Sequence, residues 1–98
     1  MIVKVHHKNK QTIVAVCDEE LLGKKFEENE KQLDLTVDFY KGEEMTELET
    51  GDLIRNSDYV NLVGKKSVEL GIEEGVIEQE NIIVIKGIPH AQAIVVHE

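Results

Sequence analysis

In "QLDLTVD", residues 32–38, apolar and polar positions alternate without a break. Leu33, Leu35 and Val37 then share one face of a strand, and Asp34, Thr36 and Asp38 the other, which is a half-buried pattern. "IVKVHH" and "TIVAVC" are β-branched runs on either side of "KNKQ". Asn9 tolerates left-handed backbone, so residues 2–7 and 11–17 read as a hairpin. Two more strands are expected at 82–86, "IIVIK", and at 92–97, "QAIVVH". The stretch "GIPHAQ", residues 87–92, becomes the connection between them. Pro89 belongs outside a strand because it donates no ladder hydrogen bond.

Helical spacing governs the middle of the chain. Asp18 is placed to cap a short helix with Glu19 and Glu20 in its first turn, and Gly23 to end it. "MTELETGDLIRN" sets Thr46 three residues before Glu49, the spacing of a capping box, although Gly51 weakens the helix. In "NLVGKKSVELGIEEG" the spacing predicts a helix over 62–74, capped by Asn61 and ended by Gly75. Its stripe of Gly64, Val68, Gly71 and Ile72 carries two glycines, which calls for close approach to a sheet.

The resulting order is ββ, short α, β, α, α, ββ. It does not alternate as a parallel α/β sheet does, and it predicts an α+β two-layer sandwich. The sheet is expected to be mostly antiparallel with helices on one face, in a single domain over residues 1–98. Leu33, Leu35, Val37, Val68, Ile72 and Ile83 are the expected core. Residues 82–85 are apolar at every position, which suits a central strand or one covered by a second subunit, so a homodimer fits the pattern.

Charge narrows the partners. The net charge is −9, and it is unevenly spread. Residues 1–17 carry three lysines and no acid, whereas residues 18–52 carry thirteen acids against four lysines. Net repulsion and the lack of a long basic stripe argue against extended nucleic-acid binding. No apolar run approaches the ~20 residues of a membrane helix, so no membrane association is expected. The single cysteine and the lack of a signal-peptide pattern at the N-terminus point to the cytoplasm.

Four stretches, "VCDEELLGK", "DFYKGE", "NLVGKKSVELGI" and "GIPHAQ", resemble in this order and spacing the small archaeal family called domain of unknown function 424. The resemblance spans essentially the whole chain. It implies a compact α+β domain of archaeal cells, and no activity, ligand or catalytic residue comes with it.

Candidate chemistry therefore rests on residue types. Cys17 ends a strand just before an expected helix start, a position that lowers a thiol pKa, and His90 is the natural base for it. Asp18, Glu19 and Glu20 oppose the thiolate, and the plain alternative is a small buried side chain. His6, His7, His90 and His97 lack the spacing of metal ligands, and no CxxC occurs, so neither a metal nor another cofactor is expected. "YVNLVGKKS" fails as a phosphate loop, with Tyr59 in place of the first glycine and Lys66 in place of the magnesium-binding hydroxyl. Gly64, Lys65 and Lys66 at a helix start would still favour an anion, or be a solvated lysine pair. The carboxylates have no aromatic sugar platform beside them and do not suggest a glycosidase.

The leading expectation is a small binding or accessory module for a protein or ribonucleoprotein partner. Its face would combine residues 61–66 with 87–92, with Asn61, Lys65, His90 and Gln92 as contacts. In the turn, Pro89 would hold His90 and Gln92 rigidly at the surface, or simply shape a hairpin. One alternative is a thiol-dependent enzyme using Cys17 and His90. Another is an RNA- or ribosome-associated factor touching RNA through "HHKNK".

Overall fold

The computed structural model describes residues 1–97. The strands are β1 (Ile2–Lys8), β2 (Gln11–Cys17), β3 (Lys25–Glu28), β4 (Lys31–Asp34), β5 (Glu43–Glu44), β6 (Tyr59–Val63), β7 (Ile82–Ile85) and β8 (Ile88–Ile94). The helices are α1 (Glu47–Arg55) and α2 (Lys65–Glu73), with short 3-10 turns at Glu19–Leu21, Asp38–Tyr40 and Gln79–Asn81. Six strands form one sheet in the order β5-β1-β2-β6-β8-β7, and β3 and β4 form a separate hairpin. All pairings are antiparallel except β2 with β6. The fold is α+β with a mostly antiparallel sheet. Among the described residues no helix is long and apolar enough to cross a membrane.

Strand parity sorts the core. Val3, Val14, Val16, Val60, Leu62 and Ala91 point to one face and pack against Ile54 of α1 and Val68 and Leu70 of α2. Ala15, Cys17 and Val63 point to the other face, where Leu33, Leu35 and Tyr40 cover them. The helices thus seal one face, while the β3–β4 hairpin and the 3-10 turn at Asp38–Tyr40 cover only part of the second.

The first hairpin forms as its pattern predicts: Lys8 pairs with Gln11, and Asn9 and Lys10 take φ of 51° and 66°. Positive φ at both turn positions is the type I′ geometry that matches strand twist. Helix α1 also forms on its capping box, with Thr46 Oγ1 accepting from the Glu49 amide at 3.2 Å. Buried Leu33, Leu35 and Val68 agree with the pattern.

Several expectations fail, each for a local reason. Residues 59–63 are a strand, so Asn61 lies in β6 and caps nothing, and α2 begins at Lys65 after Gly64. This later start centres its inward stripe on Ser67 and Gly71, leaving Ile72 40% exposed. The alternating run is strand only through Asp34, and Val37 leads into a 3-10 turn, exposed. No α-helix follows Asp18: a three-residue 3-10 turn and the β3–β4 hairpin stand there.

The largest correction falls on "GIPHAQ". Lys86 and Gly87 alone form the turn, with φ of 53° and 77°, and Ile85 pairs directly with Ile88. Pro89, His90, Ala91 and Gln92 are inside β8, and residues 95–97 lie beyond it. Proline is tolerated because its carbonyl, which accepts from the Gly64 amide at 2.9 Å, makes the contact at the end of β6. Apolar β7 is the outermost strand rather than a central one, so Ile83 and Val84 remain exposed.

Gly71 sits where α2 crosses β6, and a Cβ there would run into Leu62 and Ile77. Glycine to alanine inside a helix ordinarily stabilises by about 1 kcal/mol. Here Gly71→Ala is expected to destabilise by about 1–3 kcal/mol through overpacking, read from urea unfolding; a stabilised variant would contradict this helix–sheet contact.

Candidate functional site

The register of three strands places side chains in rows on the partly covered face. Ile13, Tyr59 and Ile94 form one row, Ala15, Asn61 and Gln92 the next, and Cys17, Val63 and His90 the third. The hairpin covers the third row. Ile13, Tyr59, Asn61, Gln92 and Ile94, together with Phe39 from the 3-10 turn, line a cleft of about 390 Å³. Phe39 is held as its wall by stacking on His6, with ring centroids 4.5 Å apart, and His6 Nε2 donates to the Phe39 carbonyl at 2.9 Å.

Two amides share the floor, and their orientations are fixed from behind. Tyr40 Oη donates to Asn61 Oδ1 at 2.8 Å. Burial, and then the neighbouring Cys17, push the Tyr40 hydroxyl up to about 12, so it stays a donor. His90 Nδ1 donates to the Leu62 carbonyl at 3.0 Å, which leaves Nε2 to accept from Gln92 Nε2 at 3.2 Å. Among the described residues no side-chain partner meets the remaining ends, Asn61 Nδ2 and Gln92 Oε1. The cleft therefore presents one donor and one acceptor between apolar and aromatic walls.

Of the residues expected at a site, Asn61 and Gln92 are thus direct cross-strand neighbours. His90 supports Gln92 but is buried, 7% exposed, and is not a surface contact. Lys65 is exposed at the start of α2 and does not line the cleft. The anion position expected at Gly64–Lys66 is filled by the protein itself: Asp18 Oδ2 accepts from the Lys66 amide at 3.0 Å, and Oδ1 from the Ser67 amide at 2.9 Å and Ser67 Oγ at 2.7 Å.

Cys17 and His90 share a row but stand on either side of Val63. Two strand spacings separate them by about 10 Å, beyond hydrogen-bond reach. The Cys17 thiol donates to the Asp18 carbonyl at 3.3 Å. Burial first, then Asp18 and Glu20, push it up to about 12, which keeps it a thiol at neutral pH. The other histidines are dispersed: His7 Nδ1 lies 3.4 Å from Thr12 Oγ1, and His97 Nε2 donates to the Ser57 carbonyl at 2.8 Å. Among the described residues no three metal-ligating side chains converge.

Sequence reasoning missed Phe39, Tyr59, Ile13 and Ile94 as site residues. The signal was present in "TIVAVC", whose odd positions share a face, but using it required recognising β6 as the neighbouring strand.

Burial holds His90 below its ordinary pKa of 6.5, against the opposing effect of its bond to Leu62. As pH falls, the unfolded chain therefore takes up this proton first. The stability tied to neutral His90 is complete above pH 6.5 and is lost as pH falls from there toward the lower folded-state value. Urea unfolding between pH 7.5 and 5 is expected to show this decline, and His90→Gln to flatten it while costing about 1–2 kcal/mol at neutral pH. A pH slope unchanged by His90→Gln would place the titration elsewhere.

The fold is similar to the crystal structure of an uncharacterized conserved protein from Methanopyrus kandleri, with a TM-score of 0.80 and 23% sequence identity. The alignment covers 99% of this chain and 92% of that one. No curated protein matches the chain. The family model described as "Protein of unknown function (DUF424)" matches residues 5–96, and the chain belongs to that family.

Proposed function

We propose that this domain is a small cytoplasmic binding module that engages a macromolecular partner through the cleft around Asn61 and Gln92. One observation carries the reading. The chain's own hairpin stops short of a concave surface floored by three strands, leaving an oriented donor and acceptor between Phe39, Tyr59, Ile13 and Ile94. Such a surface recognises by shape, apolar contact and a few directed hydrogen bonds. A chemical step through Cys17 is not supported, because the thiol is protonated, buried and out of reach of His90. The partner is a protein, alone or in a ribonucleoprotein, since the net charge of −9 opposes tracking along a phosphate backbone.

The exposed Gln92 allows a clean test. Capture from native lysate by immobilised protein is expected to recover a partner that Gln92→Arg loses by more than tenfold, about 1.4 kcal/mol, with an unchanged melting temperature. Lys65→Ala is expected to retain it. Full retention by Gln92→Arg, or loss by Lys65→Ala alone, would sink this reading.

A further inference from the structure

Strand β8 is longer than the strand beside it. The β7 ladder ends at the pair Ile82 with Ala91, and among the described residues no strand covers the outer edge of β8 beyond that point. The Val95 amide donates inward to the Asp58 carbonyl at 2.9 Å. By antiparallel alternation the backbone N–H and C=O of Ile94 point outward instead. Ile94 is 68% exposed and Val96 83%.

Cavities flank this edge on both sides. On one side lies the 390 Å³ cleft; on the other a groove of about 690 Å³ is lined by Arg55, Glu74, Val76, Glu78, Val95 and Val96. Gln92, Ala93 and Ile94 border both. An open strand edge with a pocket on each face is the geometry that receives an added strand, whose alternate side chains enter opposite pockets.

The groove is acidic. Among the described residues Arg55 is its only lining cation, and it is already paired with Glu74 and Asp52. The neighbouring Glu80 raises the Glu78 carboxyl above its ordinary pKa, and a cation bound beside them would relieve that interaction. The cleft on the opposite face carries no charged lining residue. A second copy of the chain suits this edge poorly, because two bodies of charge −9 repel.

We infer that the partner of the proposed binding face is an extended peptide segment alternating basic and apolar residues, which adds as a strand along β8 at Ile94. Its basic side chains reach Glu78, and its apolar ones pack over Ile94 toward Tyr59. This rests on the binding reading above and names the kind of partner.

The probe is a fluorescent heptapeptide alternating Lys or Arg with Val or Tyr. It is compared with a peptide of the same composition whose basic residues are contiguous, and with a version N-methylated on alternate backbone amides. The alternating peptide is expected to bind saturably, at least tenfold more tightly than either control, and to protect the Ile94 amide from hydrogen exchange. Glu78→Lys is expected to weaken it at least tenfold. Ile94→Pro, which removes the outward N–H together with the Ile94 side chain, is expected to do the same.

Equal binding of the contiguous-charge peptide, an unprotected Ile94 amide, or no saturable binding would each overturn the inference. Tighter binding of a ten-nucleotide single-stranded RNA, abolished by Gln92→Arg, would overturn it while leaving the cleft in use. Loss of a lysate partner by Gln92→Arg but not by Ile94→Pro would likewise keep the cleft and discard strand addition. Peptide binding lost in Ile94→Pro but untouched by Gln92→Arg would do the reverse.

Discussion

Asp18 is 3% exposed, and its carboxylate accepts three hydrogen bonds from the first turn of a helix 48 residues further along the chain. Helix starts leave N–H groups unsatisfied and carry partial positive charge, so a buried anion is at home there. The same residue's amide donates to the Val63 carbonyl at 3.0 Å, and the Gly64 amide donates to the Pro89 carbonyl. The ends of β2 and β6, the start of α2 and the start of β8 therefore meet at one point. Gly64 makes the meeting possible: its φ is +105°, and any Cβ would overlap the Asp18 carboxyl group.

That junction fixes parity. With Cys17 and Val63 held in line behind Asp18 and Gly64, Val16 and Leu62 must face the helices, and Asn61 and Ala15 must face away. A one-residue slip would reverse every side chain on β6 and expose its core set. Antiparallel pairing then carries the order outward to β8, setting Gln92 beside Asn61. The open face is a product of the same constraint that closes the other. Helices α1 and α2 seal an aliphatic face, while the β3–β4 hairpin covers the Cys17 end of the opposite one and the 3-10 turn at Asp38–Tyr40 only walls the rest.

Much of this was legible from residue pattern, and the misses share a cause. Strand β2, the Asn9 turn and the α1 capping box are local features, decided within a few residues, and they read correctly. Strand β6 is short, buried and next to a helix, so "YVNLV" merged with the α2 pattern and Asn61 looked like a cap. Asp18 reads as a cap of the segment right after it, whereas the helix it caps starts far away in sequence. Pro89 misled through a sound rule: proline inside a ladder is rare, yet β8 meets the end of β6 there and only the carbonyl is used. Asn61 and Gln92 stand out as polar residues in apolar runs, but their adjacency follows from register, which no local pattern encodes.

The most direct test of this account is a double-mutant cycle between Asp18→Ala and Ser67→Ala, followed by urea unfolding at neutral pH. Asp18 and Ser67 lie on separate elements and meet only through this cap, so a coupling energy of about 1–3 kcal/mol is expected. Additive effects, within about 0.3–0.5 kcal/mol, together with a cost of Asp18→Ala below about 1 kcal/mol, would mean that the carboxylate does not hold α2 to the sheet and would contradict the account at its base.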